Sequence, residues 1–242
     1  MQVILMAAGL GSRLGDMTEA TPKALISVAG RTLVDRALEF AAQAGAARRI
    51  VVGGFCFADL KGHVDAIDSK LVVVENTRFR LGNLISLETG LTGLEPGGFL
   101  LMNTDHIYPE GVAKIVATVA ASAGEVTAFC DFDRELTADD MKVELDDEKR
   151  VVSMSKKLEQ WDAGYVGMTY IPANRRPDYE VAVEATRLAQ GDAVHVEQIL
   201  VHLANSGAKP QIADISGHGW YEVDEPHERE KAEAGLRSKE KG

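Results

Sequence analysis

The chain has 242 residues, a formal net charge of −11 and a pI near 5.0. This size fits one large α/β domain with a full core, and the acidity argues against nucleic acid as a partner. The N-terminus has no basic segment followed by a long apolar one, and no window approaches the roughly 18 apolar residues of a membrane helix. We therefore expect a cytoplasmic protein without membrane insertion, in which Cys56 and Cys130 are buried thiols rather than a disulfide.

A glycine-rich segment follows the first predicted strand, which covers residues 3–6. The segment contains two alanines and two glycines: Ala7, Ala8, Gly9 and Gly11. Such small residues let main-chain amides approach a ligand closely, which is typical of a phosphate cradle. Arg13 and Lys23 add two fixed cations beside this loop, as expected for binding a triphosphate.

Two other glycine-rich patterns fit this segment less well. A dinucleotide fingerprint needs a third glycine, but Gly9 and Gly11 are followed by Leu14, and the next strand ends in two glycines instead of an acidic ribose ligand. A Walker loop ends in Gly-Lys-Ser or Gly-Lys-Thr, which the chain lacks. A glycine turn without any ligand is the remaining alternative, and the nearby Arg13 and Lys23 argue against it.

Strand and helix patterns alternate through the first half, which predicts a mainly parallel sheet covered on both faces. The elements predicted here are helices at 33–44, at 58–67 and from 83 onward, and strands at 50–52, 71–74 and 99–102. Thr32 and Asp35 form a capping-box pattern at the start of the first helix. Asn83 follows an irregular segment and is predicted to be the N-cap of a helix whose leucines recur at spacings of three and four.

A carboxylate follows the strand predicted at 99–102. Asp105 lies just beyond the end of this strand, between Thr104 and His106. Ligands of open parallel sheets bind beyond the carboxyl ends of the strands. Taken alone, Asp105 is either a turn residue or a metal ligand.

The second half of the chain changes character. Its predicted elements are helices at 111–121, 178–189 and 196–206, and strands at 126–129, 141–145, 151–155, 163–171 and 211–215. The strands at 141–145 and 151–155 flank a charged turn and predict an antiparallel hairpin. No repeat or linker is visible, so we predict a single domain over residues 1–242 with a substrate lid at 139–206. The charged C-terminal tail is predicted to be a helix that frays into disorder.

The run Ala7-Ala8-Gly9-Leu10-Gly11-Ser12-Arg13-Leu14, followed by Pro22-Lys23-Ala24-Leu25, resembles the opening motif of the sugar-phosphate nucleotidylyltransferase superfamily. The run Trp220-Tyr221-Glu222-Val223-Asp224 before Pro226 is similar to a late motif of the same enzymes. The resemblance implies a Rossmann-like three-layer α/β/α fold of the nucleotide-diphospho-sugar transferase type. Its sheet would be mixed and mainly parallel, with a small antiparallel lid.

The resemblance also implies roles for single residues. Lys23, Arg13 and Asp105 would form the catalytic set, and Asp105 and Asp224 would bind Mg²⁺. The implied nucleotide-binding residues are Ala7, Ala8, Gly9, Gly11, Ser12, Arg13, Lys23, Asn83 and Ser86, and the implied acceptor-binding residues are Lys156, Tyr165 and Glu197. Without the resemblance, Lys156 is read as an exposed lysine and Glu197 as an acid that favours a helix N-terminus.

Nucleotidyl transfer needs neutralisation of charge more than covalent help, so no histidine receives a catalytic role, and His106 is interpreted as an orienting neighbour of Asp105. The short chain is most similar to small CTP-using enzymes, the inositol-1-phosphate, phosphocholine and phosphonate cytidylyltransferases. We therefore predict transfer of CMP from CTP, or of another nucleoside monophosphate, to a small phosphate or phosphonate, in a monomer or homodimer. The alternatives are a sugar-1-phosphate uridylyl-, thymidylyl- or guanylyltransferase and a non-catalytic nucleotide-binding regulator.

A choline headgroup would require an aromatic cage, for which four side chains are candidates: Trp161, Tyr165, Tyr170 and Trp220. Inositol phosphate would require several hydroxyl partners, and an aminoalkyl phosphonate would require one carboxylate near its amine, with Asp162 and Glu197 as candidates. The sequence does not decide among these acceptors.

Overall fold

The computed structural model describes residues 1–239, and its centre is a nine-stranded mixed sheet. The strands are β1 (Gln2–Ala7), β2 (Ser27–Val28), β3 (Arg31–Thr32), β4 (Arg48–Gly53), β5 (Val72–Glu75), β6 (Phe99–Asn103), β7 (His106–Ile107), β8 (Thr127–Asp131), β9 (Lys142–Leu145), β10 (Val151–Ser155), β11 (Ala163–Ile171), β12 (Gln211–Asp214) and β13 (Tyr221–Glu222). The helices are α1 (Leu33–Gln43), α2 (Phe57–Ile67), α3 (Asn83–Leu91), α4 (Glu110–Ser122), α5 (Arg176–Gln190), α6 (Glu197–Asn205) and α7 (Pro226–Lys239). Two 3₁₀ segments, Ser12–Thr18 and Lys23–Leu25, follow β1.

The order of the main sheet is β10, β9, β11, β6, β1, β4, β5, with β8 paired to β11 and β12 paired to β8. Strands β6, β1, β4 and β5 are parallel, whereas β11 runs antiparallel to β6. Met6 lies opposite Asn103 in the register of β1 and β6. This register brings the glycine-rich loop after β1 beside Asp105 after β6, at the edge where open sheets bind ligands.

Both faces of the central sheet are buried. Successive side chains of β1 point in turn to two apolar clusters, one on each face. Val3 and Leu5 face the cluster formed with α1, α2 and α4, and Ile4 faces the cluster formed with α3, α5 and α6. All three β1 side chains are fully buried. The sheet is therefore the middle of three layers, and the predicted α/β/α fold with a mainly parallel mixed sheet is confirmed.

Helix α1 begins at the predicted capping box. The backbone N–H of Asp35 donates to Oγ1 of Thr32 at 3.2 Å, and the Thr32 N–H donates to Oδ2 of Asp35 at 3.3 Å. The predicted capping role of Asn83 is wrong, because Gly82 is the N-cap of α3. Oδ1 of Asn83 instead accepts the backbone N–H of Val196 at 2.8 Å, which ties the start of α3 to the start of α6.

The segment predicted as a lid contributes to the body of the fold. Strands β9 and β10 form the predicted antiparallel hairpin, but β9 also pairs with β11, so the hairpin extends the central sheet. Residues 139–206 also supply β11 itself and helices α5 and α6.

The C-terminal tail forms α7, in which Ala232 is fully buried, and the side chain of Arg229 donates to the Ser27 carbonyl at 2.8 Å. The predicted C-terminal helix is therefore confirmed over residues 226–239. The predicted disorder beyond it concerns residues 240–242, which lie outside the described part.

The two cysteines differ from each other. Cys130 is fully buried, and burial raises the pKa of its thiol. Cys56 is only half-buried, so the prediction of a buried thiol is wrong there. Both thiols are free, as expected.

None of the helices in residues 1–239 combines the length and apolar character that crossing a bilayer requires.

Candidate active site

The glycine-rich loop folds back over Lys23. Gly11 has φ +67°, and a Cβ atom at this position would lie 2.9 Å from Cβ of Lys23, so the turn needs glycine. The hydroxyl of Thr18 donates to the carbonyl of Gly11 at 2.8 Å and closes the loop. A Cβ at Gly9 would meet nothing within 4 Å, so its main chain faces open space. The local sequence thus builds an accessible loop above a buried lysine.

Four predicted residues from distant parts of the chain meet below this loop. Nζ of Lys23 donates to Oδ2 of Asp105 at 2.6 Å and also to Oδ1 of Asp224. The guanidinium of Arg13 donates to the other oxygen of Asp224. Lys23 is only 9% exposed, whereas the side chain of Arg13 is 46% exposed, so the cluster extends from the protein interior to the surface. The structure brings together the residues that the sequence analysis assigned to triphosphate and metal binding.

The cluster shifts the pKa of its members. Burial alone would lower the pKa of Lys23, but Asp105 and Asp224 outweigh it and hold that pKa above its ordinary value. Burial alone would raise the pKa of Asp105, but Lys23 and His106 hold it well below its usual range. Asp105 is therefore an anion and Lys23 a cation at neutral pH.

Asp105 is held from its other side by a stack of rings. Nδ1 of His106 lies 2.6 Å from Oδ1 of Asp105, and the His106 ring stacks on Trp220 with centroids 5.2 Å apart and an interplanar angle of 11°. Nε1 of Trp220 donates to Oδ2 of Asp131 at 2.8 Å, and the guanidinium of Arg134 lies 3.9 Å from the Trp220 ring centroid. The stack fixes the orientation of Asp105.

Strand β11 leaves room for this stack at Gly167. Its φ is +72°, and a Cβ there would lie 2.9 Å from Nδ2 of Asn103 and 3.2 Å from the His106 ring. Only glycine fits this position without strain. The space beside Gly167 is therefore occupied by the side chains of Asn103 and His106.

Two cavities meet at the aspartates. The smaller, of about 230 Å³, is lined by the loop residues Ala7, Gly9, Gly11, Ser12, Arg13 and Lys23. The larger, of about 580 Å³, is lined by Asn83, Lys156, Tyr165 and Glu197. Asp105 and Asp224 line both cavities. We call the first the loop cavity and the second the lower cavity.

Three of the predicted nucleotide-binding residues do not line the loop cavity. Ala8 is buried behind the loop, with its Cβ directed toward Gly54. Ser86 is buried on α3, where its hydroxyl accepts Nδ2 of Asn76 at 2.9 Å, because that turn of the helix faces the protein interior. Asn83 lines the lower cavity instead of the loop cavity, since it is tied to the start of α6.

Two carboxylates were not predicted from the sequence, Glu222 beside His106 and Asp131 beside Trp220. Glu222 lies 4.0 Å from Nε2 of His106, and ligand atoms of Asp105, His106 and Glu222 all lie within 4.8 Å of one another. The signal for Glu222 was its position two residues before Asp224, which places both on one side of an extended segment. The signal for Asp131 was its place at the end of β8, which matches that of Asp105 after β6.

Comparison with known proteins agrees with this architecture. Residues 3–219 match the model of the MobA-like NTP transferase domain. The chain belongs to this family. It is therefore a member of a nucleotidyltransferase family with the fold predicted from the glycine-rich loop.

Two sequence relatives and one solved structure illustrate the range of proteins similar to this NTP transferase domain. The bifunctional IPC transferase and DIPP synthase of Aquifex aeolicus is 28% identical over 236 residues, which cover 96% of this chain and 51% of the relative. The 2-aminoethylphosphonate cytidylyltransferase of Lancefieldella rimae is 29% identical over 182 residues, covering 70% of this chain and 66% of the relative. The chain thus spans about half to two thirds of the length of these relatives.

The inositol-1-phosphate CTP transferase from T. maritima has the same fold. Its structure superposes with a TM-score of 0.80 at 20% sequence identity, covering 97% of this chain and 96% of that one. At this identity the likeness concerns the fold alone.

Proposed function

We propose that this NTP transferase domain catalyses Mg²⁺-dependent transfer of CMP from CTP to an oxygen of a small phosphate or phosphonate, with release of pyrophosphate. One observation carries the proposal. The loop cavity and the lower cavity share Asp105 and Asp224, so a triphosphate in one and an acceptor in the other would meet at these carboxylates. This arrangement suits a transfer between two bound substrates.

The same carboxylates fit a divalent cation. Asp105 and Asp224 both accept hydrogen bonds from the single ammonium of Lys23, so their oxygens converge on one point. Mg²⁺ prefers oxygen ligands and usually takes one or two carboxylates together with phosphate oxygens. Asp105 and Asp224 would hold the ion, and when bound it would neutralise and orient the triphosphate.

The remaining chemistry follows from the charges of the chain. An acceptor oxygen attacks the α-phosphorus, a new P–O bond forms, and the bond from that phosphorus to the β-phosphate oxygen breaks with release of pyrophosphate. Arg13 and the main-chain amides of the loop hold the departing phosphates, and Lys23 neutralises charge at the α-phosphoryl group. A phosphate or phosphonate acceptor is already ionised near neutral pH, so no general base is required.

Lys156 is the proposed contact for the acceptor's phosphoryl group. It is exposed and lines the lower cavity, on the acceptor side of Asp105 and Asp224. CTP is proposed because the names of both a sequence relative and a structural neighbour refer to cytidylyl or CTP transfer.

A pyrophosphate-release screen tests the proposal. CTP, UTP, dTTP, ATP and GTP would each be combined with 2-aminoethylphosphonate, phosphocholine, inositol-1-phosphate and a sugar-1-phosphate in the presence of Mg²⁺. We expect turnover with CTP and a phosphonate or phosphate acceptor. Absence of pyrophosphate in every combination would contradict the proposed reaction.

Variants of the two aspartates test the metal site. Asp105→Asn and Asp224→Asn each remove a metal-binding charge, so each should lower turnover by about 100-fold or more. Asp65→Asn makes the same chemical change on the exposed face of α2, where Asp65 pairs with Lys61, and should leave turnover unchanged. Near-normal activity of either Asp105→Asn or Asp224→Asn would remove that residue from the site.

A further inference from the structure

Glu197 carries a buried oxygen without a partner. It is the first residue of α6 and is only 8% exposed, and within residues 1–239 its Oε2 atom accepts no hydrogen bond. The start of α6 is held in place, because the backbone N–H of Val196 donates to Asn83 and because Ile199 and Leu200 pack in the core. Glu197 lines the lower cavity, so its unpartnered oxygen lies in the wall of that cavity.

Such a carboxylate is costly to keep. Removing an acid from water without a compensating partner is unfavourable, and burial raises the pKa of Glu197 accordingly. An acidic side chain stabilises the N-terminus of a helix even when it is exposed to solvent, so this role alone would not require Glu197 to be buried. The buried placement of Glu197 in the lower cavity indicates that a ligand group completes its hydrogen bonding.

The charge of the lower cavity indicates which group this is. Besides the proposed metal ligands and Glu197, three carboxylates line it, from Asp139, Asp140 and Glu222. The basic groups in its lining are the ammonium groups of Lys156 and Lys157 and the imidazoles of His106 and His195. A neutral polyol gains nothing from this excess of negative charge, whereas a cationic headgroup is attracted. The charge of the lower cavity therefore favours a cationic acceptor end near Glu197.

The aromatic side chains exclude a cage for a quaternary ammonium group. Of the four candidates, only Tyr165 lines the lower cavity. Trp220 lies between His106 and Arg134, and the hydroxyl of Tyr170 donates to the Ala120 carbonyl at 3.1 Å. Trp161 is partly exposed and lies near the ammonium of Lys142. A quaternary ammonium has no N–H to donate and needs aromatic faces, whereas a primary ammonium donates directly to a carboxylate.

We infer that Glu197 binds the protonated primary amine of an aminoalkyl phosphonate or phosphate acceptor, whose phosphoryl group lies toward Lys156 and the two aspartates. The inference rests on the proposed nucleotidyl transfer and specifies its acceptor. Glu197 then determines acceptor specificity, because its unpartnered oxygen gains a charge-assisted hydrogen bond only from an acceptor with an N–H donor.

Two acceptors of equal length test the inference. 2-Aminoethylphosphonate and 2-hydroxyethylphosphonate differ only in the ammonium and hydroxyl groups at one end. With CTP and Mg²⁺, the unaltered protein should prefer the amine in kcat/KM by on the order of 100-fold. Glu197→Gln should remove this preference through a higher KM for the amine, with less than about a threefold change for the hydroxyl acceptor. Glu184→Gln, on the exposed face of α5, is the matched control and should leave both acceptors unchanged.

The outcomes separate this inference from the proposed function. An equal loss for both acceptors in Glu197→Gln, or faster turnover of phosphocholine or inositol-1-phosphate than of the amine, would overturn the role of Glu197 and leave nucleotidyl transfer intact. Absence of pyrophosphate with every acceptor would contradict the reaction itself. In that case calorimetric titration with 2-aminoethylphosphonate still tests Glu197, since the unaltered protein should bind it and Glu197→Gln should not. A melting temperature of Glu197→Gln at or above that of the unaltered protein shows that the variant is folded.

Discussion

Replacing Lys23 by methionine removes one charge from the buried cluster and keeps a side chain of similar length. In the absence of metal, the ammonium of Lys23 is the cation shared by Asp105 and Asp224. Removing one partner of a buried ion pair costs about 3–5 kcal/mol. The side chains of Asp105 and Asp224 are 22% and 17% exposed, and His106 and Arg13 still contact them. We therefore expect a loss below this range, about 2–3 kcal/mol of unfolding free energy, because the two carboxylates are partly solvated.

Mg²⁺ should stabilise Lys23→Met more than it stabilises the unaltered protein. In the unaltered protein the ion competes with the ammonium of Lys23 for the two aspartates, whereas in Lys23→Met it does not. A ligand at 100 times its dissociation constant adds about 2.7 kcal/mol of stability, so excess Mg²⁺ should restore most of the loss.

Urea unfolding followed by circular dichroism, with EDTA and with excess Mg²⁺, measures both effects. Lys114→Met, which breaks an exposed pair with Glu110, is the control and should change stability by less than about 0.5 kcal/mol. Equal stability of Lys23→Met and the unaltered protein in EDTA, or an equal response to Mg²⁺, would refute this reasoning.

Three further predictions concern stability and strain. Gly167→Ala places a Cβ at φ +72° and 2.9 Å from Asn103, so thermal unfolding should show a loss of about 1–2 kcal/mol, together with lower turnover. Thr32→Ala removes the capping box of α1 and should cost about 1 kcal/mol in urea unfolding without altering turnover. Burial raises the pKa of Glu197 above its ordinary 4.5, so the stability it contributes is present below pH 4.5 and lost as the pH rises through the raised pKa. Unfolding curves of Glu197→Gln and the unaltered protein should therefore diverge in favour of the variant as the pH increases, and parallel pH profiles would contradict this sign.

Features that depend on neighbouring residues were predictable from the sequence. The capping box at Thr32 and Asp35, the apolar strand before the glycine-rich loop and the hairpin around residues 146–149 all formed as expected. Each depends on hydrogen bonds or periodicity within a few residues. The pairing of β9 with β11 did not follow from the sequence, because it joins segments that no local signal connects.

Part of the candidate active site was also predictable from the sequence. The resemblance to a known family assigned Lys23, Asp105 and Asp224, and the structure brings them together. Ser86 shows the limit of that approach, because helical spacing alone does not reveal that its hydroxyl faces Asn76 inside the protein. The unpartnered oxygen of Glu197 is likewise a property of tertiary packing, so it became visible only in the structure.

The most direct test of the central claim is identification of the product by ³¹P NMR. The purified protein would be incubated with CTP, Mg²⁺ and 2-aminoethylphosphonate, and the spectra would be compared with those of the Asp105→Asn variant. The account predicts a CMP conjugate with a new phosphonate–phosphate anhydride signal and one equivalent of pyrophosphate, both absent with the variant. Hydrolysis of CTP to CDP and phosphate, or recovery of unchanged CTP with every phosphate and phosphonate acceptor, would contradict it.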